Sequence, residues 1–182
     1  MKSKNPIIFI VCGKARSGKS TAASMIREYY ELKNKKTVNL MYSETLKNYV
    51  KKICNWDGNE RTKPRTMLQK LGTDYIRNQI DINFFVKRMM EDLEIYDKFF
   101  DIITISDARF QNEIDTPKQK YTVITIKIET KRINNELTQI EKQHLSECSL
   151  EEYHDYQYII ENDGTIEELK EKIETILEEV EV

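Results

Sequence analysis

The chain has 182 residues, 39% hydrophobic and 33% charged, enough to bury one core without staples. Its 29 basic and 31 acidic residues leave a net charge of −2, so no overall positive field argues for nucleic acid, and no stretch reaches the roughly 18–20 apolar residues of a membrane span. Cys12, Cys54 and Cys148 form no CxxC pair, which suits reduced thiols in a cytoplasm and argues against a disulfide framework or a zinc site.

Residues 7–12 are a continuous apolar run ending at Gly13, the pattern of a strand buried on both faces of a parallel sheet. The run is too short for a signal-peptide core and has no small-residue cleavage site. Residues 19–33 follow as a helix, with Ala22, Met25, Ile26, Tyr29 and Tyr30 at helical spacing. Residues 37–42 read as a second strand and 43–54 as a helix, which Trp56-Asp57-Gly58-Asn59 breaks. Two more helices are expected near 65–78 and 83–97. Residues 101–106 form a third strand ending at Asp107, and 121–128 a fourth, rich in β-branched residues. No regular element is assigned between these two strands. The segment 129–150 is polar and irregular, and 156–160 is a short fifth strand. After the turn Asn162-Asp163-Gly164, Thr165 and Glu168 spell a capping box for a last helix whose apolar face runs from Ile166 to Val180.

Strands alternating with helices predict one α/β domain over 1–182: a three-layer α/β/α fold on a five-stranded, mostly parallel sheet. Right-handed crossovers place a ligand site at the carboxyl ends of the strands. Three chemically rich segments fall there, beginning at Gly13, Ser43 and Asp107.

Gly13-Lys14-Ala15-Arg16-Ser17-Gly18-Lys19-Ser20 matches GxxxxGK[ST] in full, the P-loop pattern. Glycines let successive amides turn inward around a phosphate, and the helix that follows offers free N–H groups and a favourable dipole. Lys19 then reaches the β- and γ-phosphates of ATP, Ser20 coordinates Mg²⁺, and Thr21 is placed for an α-phosphate contact. A chance match in a chain this long is on the order of one percent. The loop does not choose among kinase, GTPase and ATPase, but the chain has no NKxD-type guanine-reading segment.

Asp107, after an apolar strand, is where Mg²⁺ or its water needs a carboxylate, or where a proton could be accepted. Two residues on, the planar fork of Arg109 suits a pair of phosphate oxygens. Phosphoryl transfer needs converging cations, and Arg16, Arg65, Arg77, Lys131 and Arg132 are further candidates. Lys47, Lys51, Lys52, Arg61, Lys63 and Arg65 cluster in the first half. They read as solvated faces, or as partly facing an anionic substrate. Residues 129–150 would suit a lid that excludes water, and from composition alone equally a plain surface excursion. His144 and His154 have no metal-ligand spacing and read as structural or surface residues.

These segments together resemble the phage-type deoxynucleoside monophosphate kinases, within the nucleoside-monophosphate-kinase-like P-loop group. The likeness runs through Gly13–Thr21, Ser43-Glu44-Thr45-Leu46-Lys47, Leu68–Arg77, Ser106–Glu113, His144–Glu147 and Ile160–Thr165. It implies ATP and Mg²⁺ as cofactors and a deoxynucleoside 5′-monophosphate as acceptor. It also implies that Lys47, Gln69, Arg77, Asp107, Arg109 and Glu113 face the acceptor or the moving phosphate, with Arg65 beside them in an acceptor-binding region of about 43–98. By the same likeness Lys131 and Arg132 belong to the lid, and Asn162, Gly164 and Thr165 lie near the adenine. Ser43-Glu44-Thr45 departs from the family's usual aromatic-led acidic segment, and no arginine-proline pair opens the lid. Alternative readings are a P-loop kinase for another phosphorylated acceptor, such as dephospho-coenzyme A or an isoprenoid phosphate, or a nucleotide-binding module without catalysis. A cytoplasmic enzyme with no nucleic-acid or membrane partner is expected, and a homodimer stays open.

Overall fold

β1, Ile7–Cys12, holds five consecutive side chains, Ile8 to Cys12, with no exposed surface at all. Full burial on both faces is the fate of a central strand, and each such aliphatic or aromatic side chain contributes about 1.5–3 kcal/mol on burial. In the computed structural model, which describes residues 3–131 and 144–180, β1 is indeed the middle strand. It pairs in parallel with β3, Ile102–Ile105, on one side and with β4, Thr122–Glu129, on the other. β2, Thr37–Leu40, and β5, Tyr158–Glu161, add in parallel at the two edges, giving the order β2-β3-β1-β4-β5. All four pairings are parallel, so the mostly parallel sheet expected from the sequence is wholly so.

The two faces of β1 feed two cores. Phe9 and Val11 pack with Ala22, Ile26 and Tyr30 of α1, Lys19–Leu32, and with Leu169, Ile173 and Leu177 of the last helix, α7, Ile166–Glu179. Ile8, Ile10 and Cys12 face α2, Ser43–Cys54, and α4, Phe84–Tyr96, through Leu46, Val50, Phe85 and Met89. Helices on both faces of the sheet complete the three layers.

Three expectations are corrected. The helix expected over 65–78 is two elements: an α-helical turn and more, α3, Arg65–Gln69, that widens into a π-helix, Lys70–Ile80. Its Gly72 lies against α2, where a Cβ would sit 2.6 Å from Leu46 Cδ2. A helix, α5, Gln111–Lys118, occupies the segment left without an element. It is two turns long, contains Pro117, and buries mainly Glu113, Ile114 and Pro117, so no apolar period announced it. β2 stops at Leu40 rather than Tyr42, because the amides of Tyr42 and Ser43 turn away from the sheet toward the Asp107 carboxylate. A short helix, α6, Leu145–Cys148, lies within the segment 129–150 assigned to a lid. Arg132 and most of that segment lie outside the described residues.

Candidate active site

The phosphate loop is shaped by what cannot fit in it. Gly13 has φ +143° and Gly18 φ +100°, both in territory that side chains resist. A Cβ on Gly13 would lie 2.3 Å from the Ile128 carbonyl and 2.6 Å from Ser17 Oγ. One on Gly18 would lie 2.5 Å from Asn162 Nδ2. The loop is thus wedged between the end of β4 and the turn after β5. Asn162 braces it directly, donating from Nδ2 to the Ser17 carbonyl at 2.9 Å. Lys19 Nζ donates to the Lys14 carbonyl at 2.5 Å, drawing the ammonium across the loop. Ser17 Oγ is buried with no hydrogen-bond partner among the described residues. Backbone curvature, one lysine and an orphaned hydroxyl make a cradle that fits a polyphosphate.

Asp107 follows β3, the strand paired with β1, and so stands beside the loop. Its Oδ1 accepts from Tyr42 N at 3.0 Å, and its Oδ2 from Ser43 N at 3.0 Å and Ser43 Oγ at 2.6 Å. It therefore fastens the start of α2 to the end of β3. Oδ1, with one such bond, keeps a lone pair for a further donor. With the Ser20 hydroxyl on the same cavity, the hard oxygen donors present fit Mg²⁺, which binds few protein ligands and keeps waters.

Glu113 anchors the other wall. Its Oε2 accepts from the amides of Arg109 at 2.7 Å and Phe110 at 3.2 Å, and its Oε1 from Arg77 Nη1 at 3.1 Å. Burial pushes this carboxyl up to about 7, against the pull of the Arg109 amide and the Arg77 charge. Arg77 is held on three sides: by Glu113, by Asn112 Oδ1 at 2.9 Å, and by the Phe110 ring, whose centroid lies 3.6 Å from Cζ. The Tyr42 hydroxyl donates to the Glu113 carbonyl at 2.6 Å and closes the network.

Two cavities flank the loop. The larger, about 520 Å³, lies on the β2–β3 side. It gathers Ala15, Arg16, Lys19 and Ser20 of the loop with Lys47, Arg65, Gln69, Arg77, Asp107, Arg109 and Glu113. Seven cationic side chains and three carboxylates line it, in a chain whose net charge is −2. The smaller, about 290 Å³, lies on the β4–β5 side against Gly13, Lys14, Tyr156, Lys131 and Asp163. Arg109 lines both.

Among residues named from the sequence, Ser17 and Gly18 sit within the loop, and Thr21 is exposed in the first turn of α1. Gly164 and Thr165 precede α7, with Thr165 Oγ1 accepting from Glu168 N at 3.2 Å as the cap foreseen. Of the basic cluster, Lys47, Lys63 and Arg65 line the larger cavity, while Lys51, Lys52 and Arg61 are exposed outside it. His144 contacts Asp74 at 3.3 Å, and His154 is exposed; neither lines either of these two cavities. Residues that the sequence reading passed over are Glu60, Thr73 and Tyr42 in the larger cavity and Asp163 at the smaller. Asp163 accepts from Thr130 Oγ1 at 2.9 Å and Lys131 N at 2.7 Å, tying the exit of β4 to that of β5. Only Asp163 carried a local signal, as part of a turn after a strand.

A parallel sheet in this order, with a glycine loop between its central strand and first helix, defines a P-loop kinase fold. The solved dephospho-CoA kinase from Campylobacter jejuni shares it: it matches 96% of this chain and 96% of its own, with a TM-score of 0.55 at 15% identity. The family model described as Deoxynucleotide monophosphate kinase matches residues 29–173, and the chain belongs to that family. It is 30% identical over 120 residues to the Deoxynucleotide monophosphate kinase of Escherichia phage RB69, and 30% over 116 residues to that of Enterobacteria phage T4. These matches take in 65% and 62% of this chain and 46% and 44% of the relatives, so the chain spans less than half the length of the curated relatives it matches.

Proposed function

We propose that the protein transfers the γ-phosphoryl group of ATP to a deoxynucleoside 5′-monophosphate, forming the diphosphate and ADP. The observation that carries this is the position of Arg109, on the wall of both cavities that flank the phosphate loop. A donor seated along the loop and an acceptor in the larger cavity would meet at that guanidinium. Loop amides and Lys19 would hold the β- and γ-phosphates, and Arg109 would neutralise charge on the group in transit. Arg77, locked by Glu113 and Phe110, and Lys47, Arg65 and Gln69 would position the acceptor. Mg²⁺, held by Ser20 and, through water, by Asp107, would supply further neutralisation of the phosphate oxygens. Asn162 would act on the donor by holding the loop in shape. Residues 1–182 would work as one kinase domain in the cytoplasm, with 43–98 as the acceptor region and 129–150, including Arg132, as a lid.

Family membership supports this acceptor class over dephospho-coenzyme A, for which only a shared fold speaks. The test is a panel of common deoxynucleoside monophosphates with ATP–Mg²⁺, read by diphosphate formation. At least one should react, and Lys19→Ala should lower transfer by about 10²-fold or more with the fold retained. Inertness toward the whole panel, with turnover of another acceptor, would refute the reading.

A further inference from the structure

The rim of the larger cavity between α2 and α3 carries an ion cluster that the roles above do not use in full. Glu60, on the 3-10 turn Glu60–Thr62, accepts from Lys63 Nζ at 3.1 Å on each of its two oxygens, and from Arg65 Nη2 at 2.9 Å. Lys47 lines the same cavity, and its charge acts on both Glu60 and Lys63. The cations and the anion differ in depth. The side chains of Lys63 and Arg65 are 20% and 25% exposed, whereas that of Glu60 is 63% exposed.

Three features make Glu60 replaceable. An exposed carboxylate loses little on returning to water, because ion pairs at the surface are weak. The half-buried cations, by contrast, need an anion, since crowding like charges away from water is costly. The turn that carries Glu60 does not depend on its side chain. Asp57 Oδ1 accepts from Asn59 N at 2.9 Å and Thr62 Oγ1 at 2.7 Å, Asn59 Oδ1 accepts from Arg61 N at 2.9 Å, and Trp56 Nε1 donates to the Asn59 carbonyl at 3.0 Å. Glu60 can therefore swing out while the turn stays built. The oxygen pair it presents to Lys63 and Arg65 is the pair that a phosphomonoester presents, with one more unit of charge.

We infer that Lys63, together with Lys47 and Arg65, receives the dianionic phosphomonoester of the acceptor, and that Glu60 is the internal anion this phosphate displaces. The inference rests on the phosphotransferase reading above and makes Lys63 and Glu60 a specificity-determining pair. They favour a phosphorylated nucleoside over the bare nucleoside because only the former replaces the lost carboxylate. Glu60 competes with the substrate and sets how strongly it must bind.

The experiment is isothermal titration of the full chain with the best-used deoxynucleoside monophosphate, its unphosphorylated nucleoside, and inorganic phosphate. Glu60→Gln should tighten monophosphate binding about 2- to 5-fold, the yield of removing a weak competing ion pair. Lys63→Met should weaken it at least about 10-fold and shift nucleoside affinity far less, as expected when a charge-assisted contact is lost. Thermal melts of both variants separate this from misfolding. Weaker monophosphate binding by Glu60→Gln, or an equal loss for monophosphate and nucleoside in a folded Lys63→Met, would overturn the inference. A monophosphate that is turned over and binds Lys63→Met as tightly as wild type would overturn it while leaving the kinase reading intact. Lys63-dependent binding of phosphomonoesters without turnover of any would support the anion site and overturn the kinase reading.

Discussion

Glu113 is the most deeply buried carboxylate of the cleft, 3% exposed, and it holds the Arg109 and Phe110 amides and the Arg77 guanidinium at once. A carboxyl raised from an ordinary value of 4.5 to about 7 binds its proton more tightly in the folded chain than in the unfolded one. Its contribution to stability is therefore fully present below about pH 4.5 and is lost as pH rises through 7. The slope from one such group cannot exceed about 1.4 kcal/mol per pH unit. Urea denaturation of wild type and Glu113→Gln across pH 5–8 should show stability falling with pH more steeply in wild type. Parallel curves would mean that the carboxyl titrates normally despite its burial. The same side chain shows why role and position separate. Its place in the Asp107–Glu113 segment was visible in the sequence, but its partner Arg77 lies 36 residues earlier and is reached only across the fold.

At the scale of elements, Asp107 joins two of them. It accepts from Tyr42 N, Ser43 N and Ser43 Oγ, so a residue after β3 caps the helix that follows β2. Loss of a capping carboxylate typically costs about 1–2 kcal/mol. Asp107→Ala should lower the unfolding free energy by about that amount, read from the urea midpoint, in addition to its effect on transfer. An unchanged midpoint would show that water replaces the cap at no cost. The last helix is the contrasting case: Thr165 caps its own helix from the preceding residue, and the motif was legible because donor and acceptor are neighbours in sequence. α5 was missed for the opposite reason. Two turns with few apolar positions carry no period, and Glu113, which accepts from the Phe110 amide at the helix start, looked like a site residue alone. The π-helix, Lys70–Ile80, was likewise invisible, because apolar spacing does not tell one helical winding from another.

Across the whole molecule, charge is segregated: a chain of net −2 lines its larger cavity with seven cations and three carboxylates. Such a cavity draws anions and must be balanced when phosphates enter. No group of three or more His, Cys, Asp or Glu side chains able to hold a metal occurs among the described residues. Chelation with EDTA should abolish phosphoryl transfer, restored by added Mg²⁺, while the thermal melting curve stays in place. A melting temperature that drops on chelation would reveal a structural metal. No described helix is long and apolar enough to cross a membrane. The five strands, the phosphate loop and the acidic strand end were readable from the residues because each rests on short-range physics. Apolar runs, glycines at turns and a lysine after them act within a few positions of one another. What the chain could not announce is which distant groups meet: Arg77 with Glu113 on the cavity wall, Asn162 against the loop, Arg109 between two cavities. Those meetings follow from the parallel crossovers, which bring strand ends far apart in sequence to one edge of the sheet. A charged side chain finds its partner in space, and spacing along the chain carries no record of that choice.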